Sequence, residues 1–227
     1  MTMILRDVRF PIREATISGH ILNPDWLNKY GEGKSLRLEW DVVVQTEEQL
    51  IDEELFADPR ISWAEFSFPI RRWSELEGQT IQFDAARDAL TAPHAFSYFE
   101  THELIPVSTL KFVKRAGNKF LIHWEGTCDP MFEEPYHKNV PFLIQTEAVF
   151  KEISVQAGES DTDATTLERL SKYLDPADFI QHPMKEIVRN DPVENRFGIF
   201  DPLLRWVFRS PATRRSVQRY SVFEPRI

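Results

Sequence analysis

Leu36, Leu38, Trp40, Val42 and Val44 alternate with Arg37, Glu39, Asp41 and Gln45, and this period of two constrains the fold more than any other feature of the chain. Such a segment is a strand with one face in a core and the other in polar surroundings. The pattern recurs. Residues 61–70 set Ala64, Phe66, Phe68 and Ile70 against Glu65 and Ser67. Residues 119–125 turn Phe120, Ile122 and Trp124 inward, and residues 142–153 do the same with Phe142, Ile144, Ala148 and Phe150. Residues 16–22, 79–84, 96–99 and 104–113 complete a set of roughly seven to nine strands. Arg115-Ala116-Gly117-Asn118 reads as the turn of a hairpin. Many short strands with short connections predict a mainly β fold, an antiparallel sandwich or an open barrel, over residues 1–156.

One segment inside this body breaks the period. In residues 47–56, Leu50, Ile51, Leu55 and Phe56 fall at helical spacing, so a helix is expected there. A larger change comes near residue 158. Residues 157–164 are polar and acidic and read as a linker. Residues 165–227 then carry helix-start signals. Thr165 with Glu168 fits a capping box ahead of Leu167, Leu170 and Leu174. Asp175-Pro176 and Ser210-Pro211 each place a cap residue before a proline suited to a first helical turn. Phe200, Leu203, Leu204, Val207 and Phe208 form an apolar stripe with Arg205 and Arg209 off it, and Arg214, Arg215 and Arg219 follow. A helical, arginine-rich C-terminal extension is therefore expected.

Charge follows the same division. Residues 1–160 hold 16 Lys+Arg against 26 Asp+Glu, whereas residues 203–227 hold six Arg and one acid. An acidic body with a basic end argues against broad nucleic-acid binding and favours a basic protein partner. The extension has three readings: docking on the acids at Glu47, Glu48, Asp52, Glu53 and Glu54; lying on an anionic membrane surface; or joining a partner or a second copy of the chain. The 42% of hydrophobic residues can supply a core without disulfide or metal. The single cysteine, Cys128, and the charged residues in the first eleven positions fit the cytoplasm rather than a secreted framework.

The chemistry-bearing residues are sparse. His123 and Glu125 are two apart on a strand and share its outer face, with Asp129 and His137 following. Imidazole with carboxylates is a ligand and general-base set, so these four are the residues a metal-dependent hydrolase would use. Their spacing matches no established metal motif, and an outer strand face needs polar residues in any case. Cys128 lacks an orienting partner for a nucleophile and reads as a small buried residue. His20 reads as an outward surface residue. Trp40 and Trp124 belong to inward faces, while Trp26 and Trp73 sit in loops that line a groove or cap an end of the body. No glycine-rich phosphate loop, serine elbow or paired-cysteine motif is present, so no cofactor or metal is expected. The resulting expectation is a non-catalytic cytosolic binding protein, an inhibitor or immunity-like partner of a basic protein. The alternatives are the hydrolase and an assembly subunit joined through its C-terminal segment.

Overall fold

A computed structural model describes residues 1–22, 37–52, 55–84, 95–98, 102–130, 138–192 and 213–227. The chain is mostly antiparallel β and forms a nearly closed, barrel-like sheet. Its strands are β1 (Thr2–Leu5), β2 (Val8–Ile21), β3 (Leu38–Thr46), β4 (Gln49–Asp52), β5 (Leu55–Ala57), β6 (Arg60–Phe66), β7 (Thr80–Asp84), β8 (Ala95–Tyr98), β9 (His102–Leu104), β10 (Val107–Ala116), β11 (Lys119–Cys128), β12 (Val140–Ala157), β13 (Phe179–Gln181), β14 (Lys185–Pro192) and β15 (Thr213–Pro225). The main sheet runs β7-β10-β11-β12-β1-β2-β3-β6-β8-β9. It curls on itself, because Trp63 of β6 meets Phe83 of β7 at 6.5 Å and Trp124 of β11 at 5.9 Å between ring centroids. Those strands are far apart along the sheet, so the rings touch across its interior.

The alternation in the sequence sets the inward faces. Trp40, Val42 and Val44 are buried on β3, Phe120, Ile122 and Trp124 on β11, and Phe142, Ile144, Ala148 and Phe150 on β12. The predicted hairpin turn joins β10 to β11 through Ala116↔Lys119, with Gly117 at φ 62° where a glycine is the favoured residue. Bulges reset the parity. The register of β12 against β2 shifts between Phe150 and Glu152, so Ile153 and Val155 face inward after Phe150. A shift in the β3–β6 pairing does the same on β6. The buried residues there are Ile61, Trp63 and Phe66, whereas Ala64, expected inward, is half-buried.

One end of the barrel is closed by a short 3-10 turn, Trp73–Leu76. Trp73 stacks on Phe150 at 5.1 Å and meets Phe120 edge-on at 6.0 Å, while the Arg115 guanidinium lies over its ring. This tryptophan therefore caps the barrel rather than lining a groove. Arg72 next to it donates from Nε to Asp178 at 3.0 Å, and Arg71 donates to the carbonyls of Ser171 and Lys172. Together these tie the C-terminal part of the chain to the barrel end.

Two expectations are corrected. Residues 47–56 do not form a helix but the hairpin β4–β5, a separate two-stranded sheet with Leu50 opposite Phe56. A helix there would bring Glu48 and Asp52 together at i, i+4 and crowd Asp52, Glu53 and Glu54 at its negative C-terminal end. Among its described residues, the C-terminal extension is helical only in α1 (Asp163–Ser171) and in a 3-10 turn at Pro176–Asp178. Thr162 caps α1, with Thr165 completing the box, so the cap lies three residues before the expected one. Asp175 caps the following turn, with Pro176 in its first position, as the sequence indicated. Most of the rest of the described extension is strand, in β13, β14 and β15. Residues 213–225 are rich in β-branched and aromatic side chains, and the buried Ser221, Phe223 and Pro225 alternate with Val222 and Glu224. β15 pairs with the end of β12 through Ile153↔Phe223 to Ala157↔Arg219.

Candidate functional site

The described acids of the expected binding surface are on and beside the β4–β5 hairpin. Its base is pinned to the barrel: Thr46 donates to the Pro59 carbonyl from both its backbone and its hydroxyl, and Glu47 N donates to Pro11 O at 2.8 Å. Ile51 and Ala57 pack against the core, which turns their neighbours Leu50 and Phe56 outward. Leu50 and Phe56 are 50% and 59% exposed and lie directly across from each other. Glu47 and Glu48 are exposed at the hairpin base, and Asp52 ends β4. The result is a small apolar patch beside carboxylates, a surface suited to a partner that is apolar and basic at once.

The other residues singled out are distributed as follows. Glu53, Glu54, His137, Phe200, Leu203, Leu204, Arg205, Val207, Phe208 and Arg209 lie outside the described residues. Arg214 and Arg215 lie on β15, opposite Asp191 and Asn190 of β14. His123 and Glu125 share the outer face of β11, with Nε2 and Oε2 3.4 Å apart and both side chains exposed. Asp129 is not beside them: it is six residues from His123, about 20 Å along an extended chain. Its Oδ1 accepts from Asn139 N at 2.7 Å, which holds the turn into β12. Among the described residues, no group of three or more His, Cys, Asp or Glu is arranged to hold a metal ion. Cys128 is fully buried, and burial pushes its thiol up to about 12, so it is not a nucleophile at neutral pH.

A charged cluster on the outer face of β2 and β3 was not anticipated. His20 Nε2 lies 3.0 Å from Glu39 Oε2, its Nδ1 lies 3.4 Å from Asp41 Oδ2, and Arg37 Nε reaches Glu39 Oε1 at 2.6 Å. The Glu39 side chain is only 4% exposed. Burial opposes the charge on His20, but the hydrogen bonds to Asp41 and Glu39 and their negative charge outweigh it, and the ring is pushed up to about 9. Burial likewise opposes the charge on Glu39, yet His20 and Arg37 hold that carboxyl below its ordinary value. At neutral pH this is an imidazolium between two carboxylates. Both ring nitrogens then carry protons, so the ring is neither a base nor a metal ligand, and the cluster serves to bind β2 to β3. The sequence holds the residues, but only the register, His20↔Glu39 and Ser18↔Asp41, brings them together.

Among the described residues, no helix is long and apolar enough to cross a membrane. No protein-family model matches the chain, and neither the curated proteins nor the solved structures compared with it include a match.

Proposed function

We propose that this chain is a non-catalytic cytosolic binding protein that recognises a basic partner, in the manner of an inhibitor or immunity protein, through its β4–β5 hairpin. The observation that carries the reading is the exposed Leu50–Phe56 pair beside Glu47 and Glu48. Covering the two side chains would remove about 200 Å² of mostly apolar surface, worth about 5 kcal/mol before the costs of association. The carboxylates would speed encounter with a cationic surface and select for it. The hydrolase reading has less support, since of its three described residues His123 and Glu125 stand together and Asp129 does not join them.

The test compares the wild type with a Leu50→Asp/Phe56→Asp variant. Each is used to capture partners from cells that make the protein, and binding of the purified partner is then measured over a salt series. The expected result is a partner with a basic surface that the variant fails to hold and that salt weakens. If both proteins hold the same partners with equal affinity and equal salt dependence, the hairpin is not a recognition surface.

A further inference from the structure

The strand register places the acidic hairpin and the arginine-bearing start of β15 at opposite ends of the barrel. β3 ends at Thr46, which pairs with Ile12, so the hairpin that follows lies at the start of β2. β12 runs parallel to β2 with Val155 beside Ile21, so Ala157 lies past the other end of β2. From Ile12 to Ile21 the strand rises about 30 Å. β15 pairs with β12 only from Arg219 to Phe223. Among the described residues, positions 213–218 of β15 have only β14 as a strand partner, through Ile187↔Gln218 to Pro192↔Thr213. This two-stranded arm continues beyond Ala157 for about another 20 Å, away from the hairpin.

The segment joining the two arm strands, residues 193–212, carries Phe200, Leu203, Leu204, Val207 and Phe208 together with Arg205 and Arg209. Its composition complements the hairpin in both respects, apolar to apolar and cation to carboxylate. Its reach back toward the hairpin of its own molecule is limited by chain length. Fully extended chain between Leu204 and Thr213 spans at most about 32 Å. The path back along the arm and β2 is about 55 Å.

We infer that the hairpin receives residues 199–209 of a second copy of the chain. The inference rests on the hairpin being a recognition surface and names the second copy as the bearer of the basic chemistry. The contact joins two different surfaces, so it closes as a reciprocal two-fold exchange or a ring, or runs on as an open chain. The cation–carboxylate contacts at its rim make the association sensitive to salt.

A charge exchange tests it. Sedimentation velocity over a concentration series is measured for the full-length wild type, for Glu47→Lys/Glu48→Lys and for Arg205→Glu/Arg209→Glu. The wild type is expected to assemble as concentration rises and to dissociate in high salt, and each variant alone to remain a monomer. An equal mixture of the two variants is expected to assemble again, because each end then meets its opposite charge. Recovery on mixing also shows that both variants are folded. A wild type that is monomeric at every soluble concentration overturns the inference, as do assemblies that neither variant alters. If the wild type is monomeric and the Glu47→Lys/Glu48→Lys variant still loses a heterologous basic protein, self-association fails while hairpin recognition stands. If that variant changes neither, both readings fall.

Discussion

The His20 cluster makes stability depend on pH in a window where few groups titrate. The ring is raised from 6.5 to about 9, so the folded state keeps a proton that the unfolded chain has released. Between those values the folded protein binds more protons, and stability falls as pH rises. The contribution is fully present below about pH 6.5 and is lost as pH passes about 9. Its full size is about 3 kcal/mol, taken as an upper figure because the ring is 24% exposed. The perturbation is His20→Gln, which keeps a polar side chain but removes the charge. Urea unfolding of both proteins at several values from about pH 6 to about pH 10 gives the difference, in which the other titrating groups largely cancel. The variant is expected to be less stable at low pH, with the two proteins converging at high pH. Above about pH 9 the wild-type ring has lost its charge as well, so both proteins then hold Glu39 with Arg37 as its cationic partner. A difference that is flat across the range would refute the reasoning, and so would a His20 ring that titrates near its ordinary value by NMR.

Three further outcomes are expected. Gly126→Ala should destabilise the barrel by about 1–3 kcal/mol in chemical unfolding, because a Cβ there would meet the Val107 carbonyl oxygen at 2.3 Å and backbone cannot move aside cheaply. Gly19→Ala should cost less in the same assay, since its closest contact is the movable end of the Ile153 side chain. Trp73→Ala should cost about 3–5 kcal/mol by removing a buried ring stacked on Phe150, again read by denaturant midpoint. Cys128 should resist alkylation in the native protein at neutral pH and react readily in denaturant; rapid native labelling would contradict its burial.

The strands of the body were legible because alternation reports directly on a half-buried sheet. Where the sequence misled, the cause was local. On β6 a bulge moved the inward face from Ala64 to Trp63, and a one-residue shift of this kind leaves no mark in composition. In residues 47–56 two apolar pairs satisfied the helical period and the hairpin equally, and the docking of Ile51 and Ala57 on the core, which the segment alone does not reveal, goes with the hairpin. In the extension, Asp175 was read correctly as a cap and the first helix start was read three residues late, at Thr165 instead of Thr162, but a start signal does not fix length in either case. The acids at Glu47 and Glu48 could be named from charge alone. The exposed Leu50 and Phe56 beside them could not, because exposure depends on how Ile51 and Ala57 dock. The His20 cluster needed cross-strand register, which is a property of the fold and not of any one segment.

The parallel contact between β2 and β12 has a consequence in time. β2 has β1 and β3 as early partners in the chain, but the second edge of its Thr16–Ile21 stretch waits for β12, about 130 residues later. At ordinary rates of synthesis that is a delay of about 7 to 26 s. During it, the stretch Thr16–Ile21, which holds Ile17 and Ile21, presents unpaired backbone on one side, the condition under which nascent chains pair wrongly with one another. The protein should therefore be most prone to aggregate while it is being made rather than once it is folded. Slowing synthesis between β3 and β12 would lengthen that exposure and lower the soluble yield, and a chaperone that shields strand edges would restore it.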